Sequence, residues 1–162
     1  MNTMRTSLLS ILGLILVIGL TAMAQGTGTN LSGTWKMNPA KSKLPKVPKI
    51  QSQTLVIVQD GLQIEFRHQT DGKESVENYT SDKTERVIRE VPEAKSRIVG
   101  KAYWKGATFI TETKAVFTIS SALDRYEMMD TKDSWTVSPD GLVLTEKSQW
   151  EDGRSIAIYD KQ

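Results

Sequence analysis

The stretch QTLVIVQDGLQIEFRHQTDGKESVENYT, residues 53–80, decides the fold. Two Asp-Gly dipeptides, Asp60-Gly61 and Asp71-Gly72, divide it into three runs in which apolar and polar residues alternate. Alternation with period two marks a half-buried strand, and Asp-Gly between two such runs is the strongest short-range hairpin signal, because tight hairpin turns need positive φ. Closing Asp60-Gly61 as a two-residue turn pairs Gln59 with Leu62, Ile57 with Ile64, Leu55 with Phe66 and Gln53 with His68. Leu55, Ile57, Leu62, Ile64 and Phe66 then share an apolar face, and Gln63, Glu65 and Arg67 lie on the other. At the second turn a three-residue Thr70-Asp71-Gly72 loop with a bulge pairs Phe66 with Val76 and His68 with Glu74. A two-residue turn would put Val76 outside, opposite Arg67, so the bulged form is expected.

The same punctuation recurs at Lys105-Gly106, Asp140-Gly141 and Asp152-Gly153. Around Lys105-Gly106, Trp104 is expected opposite Ala107, Ala102 opposite Phe109, Gly100 opposite Thr111 and Ile98 opposite Thr113. Strands are expected at 33–37, 53–59, 62–69, 73–80, 85–91, 96–104, 107–119, 124–137, 142–150 and 154–160. Between them, Ser121 followed by Asp124 offers a cap for a helical turn, against which strand entry is preferred. The fold class is therefore all-β: an antiparallel up-and-down meander barrel of about 8–10 strands, preceded by an N-terminal signal helix.

That helix reads as a targeting segment. Arg5 supplies a positive charge, Leu8 to Leu20 is almost wholly apolar, and Ala22-Met23-Ala24 fits a small-residue cleavage site. The apolar run is short for a bilayer span, which takes about 20 residues. The expected organisation is a signal peptide over 1–24, a Gly/Thr linker over 25–31 and one barrel domain over 32–162, placed in the periplasm or secreted. With no cysteine in the chain, disulfides, thiolate catalysis and zinc-thiolate sites are excluded, and so is a lipoprotein anchor. No acidic residue precedes Asp60, whereas Lys36, Lys41, Lys43, Lys46 and Lys49 do. A cationic loop broken by Pro39, Pro45 and Pro48 is expected to dock on a mildly anionic body.

At Ser32-Gly33-Thr34-Trp35 the chain resembles the lipocalins and the wider calycin group, and Ser32 to Ser42 is similar to the opening of small exported bacterial proteins of lipocalin-like type. Trp135 to Gly141 and the terminal Tyr159-Asp160-Lys161 are similar to the endings of those proteins. The resemblance implies a tryptophan, Trp35, packed across the closed end of the barrel beneath a basic residue near the last strand, for which Arg154 is the expected counterpart. It departs from a lipocalin in offering ten possible strands where that family has eight.

Function is carried by the interior. Trp104, Phe109 and Phe66, mixed with Gly100, Ala102 and Thr111, point to a cavity for a small apolar or amphipathic molecule. The expected ligand-binding set is Phe66, His68, Glu74, Trp104, Phe109 and Thr111, with His68 beside Glu74 as the polar element. The alternative is a filled barrel acting as an interaction protein through its lysine-rich loop. Catalysis finds no support: there is no G-x-S-x-G, no phosphate-cradling glycine loop and one histidine. No metal site, no cofactor and no nucleic acid partner is expected, and the mature chain is expected to be monomeric. An outer-membrane barrel is excluded because Lys73 to Thr80 and Glu85 to Val91 carry charge on both faces.

Overall fold

A computed structural model describes residues 29–46, 50, 52–118 and 125–162. They form ten antiparallel strands: β1 (Gly33–Met37), β2 (Gln53–Asp60), β3 (Gln63–Thr70), β4 (Lys73–Thr80), β5 (Arg86–Val91), β6 (Ser96–Lys105), β7 (Thr108–Thr118), β8 (Arg125–Val137), β9 (Val143–Trp150) and β10 (Gly153–Lys161). Consecutive strands other than β4 and β5 pair in a meander, and β1 pairs with β10, joining the first and last strands. Only β4 and β5, the outer strands of the order, lie alongside each other without a ladder, so the barrel is nearly closed. The signal segment, most of the linker and the Ser121–Asp124 cap fall outside the described residues.

The strands match those expected from sequence to within a residue or two, but the hairpin registers move. In β2–β3 the closing pair is Asp60 with Gln63, so Gly61-Leu62 rather than Asp60-Gly61 forms the turn. Ile57 meets Phe66 and Leu55 meets His68. A shift of two keeps every side chain on its expected face. Leu62 is the exception: it leaves the ladder for the turn and is 51% exposed. The β6–β7 hairpin shifts the same way, with Lys105 opposite Thr108 and Trp104 opposite Phe109.

The β3–β4 hairpin corrects the bulged expectation. Thr70 pairs with Lys73 across a two-residue turn in which both Asp71 (φ 49) and Gly72 (φ 83) are left-handed. An Asp-Gly pair accepts that doubly positive geometry, which matches the twist of the flanking strands. No bulge is needed, and a one-residue change of register exchanges the faces of β4. Val76 stands opposite Arg67, and Glu77 lies opposite Phe66. Glu74 is exposed.

One end of the barrel is closed by Trp35. It is fully buried among Leu31, Leu55, Ile57 and Tyr159 of the core, and its Nε1–H donates to the Leu31 carbonyl at 3.0 Å. The basic residue over its ring is Lys161, whose Nζ lies 5.2 Å from the centroid, and not Arg154. Register explains the correction: Trp35 pairs with Lys161, whereas Arg154 is an exposed, outward residue at the opposite end of β10, paired with Gln149. Gly33 (φ 152) completes the seal, since a Cβ there would come within 3.3 Å of both Trp35 Nε1 and Lys161 Cε.

After Met37 the chain continues along β10. Asn38 N–H donates to Ile158 O at 2.7 Å, Lys43 and Ile156 exchange backbone hydrogen bonds, and Lys41 pairs with Asp160 at 2.9 Å. The described part of the lysine-rich loop is therefore docked on the barrel.

Trp35→Ala is expected to lower stability by about 3–5 kcal/mol, the usual cost of emptying a large aromatic from a core. Lys161→Met, which keeps the apolar stem, should cost no more than about 1 kcal/mol. Urea unfolding of both variants checks the pair.

Candidate functional site

The barrel interior has two storeys. The lower one is filled: Phe66 packs on Trp135 (ring centroids 4.9 Å apart) and on Phe109 (6.1 Å), Trp104 packs on Phe109 (5.1 Å), and Tyr79 meets Phe66 edge-on at 5.4 Å. Above this aromatic layer lies a chamber of about 370 Å³. Trp135 and Tyr79 form part of its floor, and Leu44, Pro45 and Ile50 of the β1–β2 loop line it from the other side. Its remaining wall mixes Ile98, Trp150 and Ala157 with polar groups, among them Gln53 on β2, His68 on β3, Glu77 on β4, Arg89 on β5, Asp133 on β8 and Glu146 on β9.

Strand parity puts these groups inside except Arg89, which follows the core residue Ile88 and lines the chamber where the β5–β6 register shifts between Val87 and Arg89. Trp135 and Glu146 are cross-strand partners, as are Asp133 and Ser148, so the face that supplies the tryptophan floor also supplies two acids. Tyr159, on β10, directs its hydroxyl at Glu146 Oε2 (2.8 Å) and Gln53 Oε1 (3.1 Å). A hydroxyl carries one proton, so it can donate to only one of these oxygens at a time. With Glu146 protonated, that acid donates to Tyr159, and Tyr159 donates to Gln53. Gln53 Nε2 in turn lies 3.3 Å from His68 Nδ1.

Charge is distributed unevenly. Glu77 gathers the basic side chains: Arg89 Nη1 lies 3.6 Å from it and His68 Nε2 3.7 Å. Burial alone would raise the Glu77 pKa, but His68, the Tyr79 hydroxyl at 2.9 Å and Arg89 outweigh it and hold this carboxyl below its ordinary range. Asp133 accepts from Thr111 Oγ1 at 3.2 Å, and burial pushes its pKa up. Glu146 is pushed up to about 7, first by burial and then by the charge of Asp133. Neither acid has an ion-pair partner among the described residues.

Of the six interior residues singled out in the sequence, only His68 lines this chamber. Phe66, Phe109 and Thr111 are buried beneath it, Trp104 is half-buried against Phe109, and Glu74 lies outside. The pairing of His68 with Glu74 is corrected to proximity with Glu77, a direct result of the β3–β4 register. Gly100 leaves no space either, because a Cβ there would sit 2.5 Å from the Glu112 carbonyl of the next strand. Sequence reasoning missed Gln53, Glu77, Asp133 and Glu146. Their signal was available: Asp133 alternates with Trp135, and Glu146 with Leu144, so each acid occupies an inward position of an otherwise half-apolar strand.

No family model matches the sequence, and no curated protein does. Solved structures match its backbone. The fatty acid transporter REP1-NXSQ superposes with a TM-score of 0.58 at 15% identity, over 82% of this chain and 96% of that one. An abundant heat soluble (SAHS) protein from Ramazzottius varieornatus gives 0.60 at 14% identity, over 82% and 95%. Fatty-acid-binding protein 1 of Echinococcus granulosus gives 0.56 at 14%, over 81% and 96%. At these identities the likeness is one of fold alone, a nearly closed antiparallel β-barrel.

The raised pKa of Glu146 sets a pH dependence. Between its ordinary value of 4.5 and about 7 the folded protein holds a proton that the unfolded chain has released. Stability should therefore fall as pH rises through that window, by up to about 1.4 kcal/mol per unit. Asp133, also raised, acts in the same sense from lower pH, whereas the lowered Glu77 contributes stability that is lost only in acid. Glu146→Gln should flatten the fall and be more stable than the parent at pH 8. Urea midpoints at pH 5 and pH 8 measure both effects.

Proposed function

We propose that the protein is a carrier that holds one small amphipathic molecule in the upper storey of its barrel. The observation that carries this reading is the chamber itself, about 370 Å³ in the barrel interior, with an aromatic floor, an apolar loop across it and a few convergent polar groups. Its volume falls within the range of about 300–1,000 Å³ usual for ligand sites. Mixed lining of this kind suits a molecule with an apolar body and one polar end. Two of the structural neighbours are described as a fatty acid transporter and as a fatty-acid-binding protein, which supports a ligand with an aliphatic tail.

The carrier works outside the cytoplasm in this proposal. Its support is the sequence alone: a charged start, the apolar run Leu8 to Leu20 and the Ala22-Met23-Ala24 cleavage site. The lysine-rich loop then serves the chamber, since its described part docks on β10 and delivers Leu44 and Pro45 to the cavity wall. That placement favours a covered ligand site over a filled barrel with an independent surface function.

Trp135 and Trp150 both line the chamber, so occupancy should change tryptophan fluorescence. Native mass spectrometry of protein from its own host, followed by solvent extraction, should show one small amphipathic molecule per chain. Ser155→Phe, which fills the chamber from β10, should weaken binding at least tenfold while leaving the β-sheet circular dichroism intact. A bare mass, together with no fluorescence response to amphiphiles of any head group, would refute the carrier reading.

A further inference from the structure

The groups facing the chamber divide by charge in a way that selects among ligands. Its one guanidinium, Arg89, and the His68 ring both sit against Glu77. The other two acids have no ion pair among the described residues and take hydroxyls as hydrogen-bond partners: Thr111 and Ser148 on Asp133, and Tyr159, with Ser148 at 3.5 Å, on Glu146. Buried carboxylates are ordinarily paired with a cation, because desolvation without one is costly. Three buried side-chain nitrogens in the same lining have no hydrogen-bond partner among the described residues: His68 Nε2 and Arg89 Nε, both on side chains that face Glu77, and Trp135 Nε1, which faces no acid it could pair with. Trp135 is 4% exposed. A buried donor left unmatched is uncommon in a folded protein.

A ligand that satisfies both needs carries a positive charge for the acids and an oxygen acceptor for the indole. Among the described residues no group of three His, Cys, Asp or Glu side chains is placed to hold a metal ion, which leaves an organic cation. A fatty acid fits poorly, since its carboxylate would be a further anion in a chamber that already holds Glu77, Asp133 and Glu146. Resting on the carrier reading, and giving it a ligand class, we propose that the chamber takes an amphipathic amino alcohol. The ammonium lies at Asp133 and Glu146, the neighbouring oxygen accepts from Trp135 Nε1–H, and the aliphatic tail lies against Leu44, Pro45 and Ile50.

The test compares head groups on one tail: 2-aminodecan-1-ol, decan-1-ol and decanoate, titrated into the full mature chain at pH 7 and followed by calorimetry. The amino alcohol should bind at least tenfold more tightly than either of the others. Asp133→Asn combined with Glu146→Gln should abolish that preference, bringing the amino alcohol and decan-1-ol to equal affinity, while an unchanged β-sheet circular dichroism reports that the barrel is still formed. Trp135→Phe should weaken the amino alcohol more than decylamine, which lacks the oxygen. Decanoate binding as tightly as the amino alcohol, in the unaltered protein, overturns the assignment and leaves the carrier reading standing. A preference that survives the double substitution overturns it equally. Binding of none of these probes counts against the carrier reading itself.

Discussion

The short seam between β1 and β10 is the constraint from which the rest of the molecule follows. Trp35, Lys36 and Met37 pair with Lys161, Asp160 and Tyr159, joining residues at opposite ends of the chain. Without that seam the meander would be an open, twisted sheet with one wetted face and no inside. With it, the inward parity of every strand faces a common axis, and the apolar side chains of β1, β2, β3, β7 and β9 can be buried together. The seam is strengthened beyond its backbone bonds. Asn38 and Lys41 both reach Asp160, and the indole of Trp35 is fixed between the Leu31 carbonyl and the Lys161 ammonium.

Much of this was legible in the sequence, because the information is local. Strand positions follow from alternation and turn residues, and these signals act over only a few residues. The inward face of β2 and β3 was readable for the same reason: a register error of two leaves parity untouched, and both β2–β3 and β6–β7 erred by two. The β3–β4 hairpin shows the limit. Choosing between a two-residue and a three-residue loop at Asp71-Gly72 is an error of one, and it moved Glu74 inside and Glu77 outside. The preference for burying Val76 decided that choice wrongly. In the folded protein Val76 is half-buried on the outer face, and Glu77 goes inside, where Arg89, His68 and Tyr79 receive it.

The candidate site was less legible, because it depends on where filling stops. Phe66, Phe109 and Trp104 face inward as expected, but nothing local says whether such rings line a space or occupy it. Their mutual packing settles the matter in favour of occupation, and the space begins one layer above them. Likewise the role of Trp35 transferred from the calycin resemblance, whereas its basic partner did not. Which of Arg154 and Lys161 lies over the ring is fixed by pairing across the seam, and no motif near Arg154 encodes that.

The break in the ladder between β4 and β5 has a consequence for motion. Elsewhere around the barrel adjacent strands are tied by backbone hydrogen bonds, and opening them disrupts many bonds at once. Between β4 and β5 the tie is made by side chains, among them Arg89 reaching across to Glu77. Such a join parts at a lower free energy than the global unfolding that paired strands require, so the two flanking strands form a sub-global opening unit within a rigid shell. Because Glu77 belongs at once to that join and to the chamber wall, each parting of the strands also loosens the wall. One carboxylate thus serves both the unladdered join of the barrel and the charge balance of its interior.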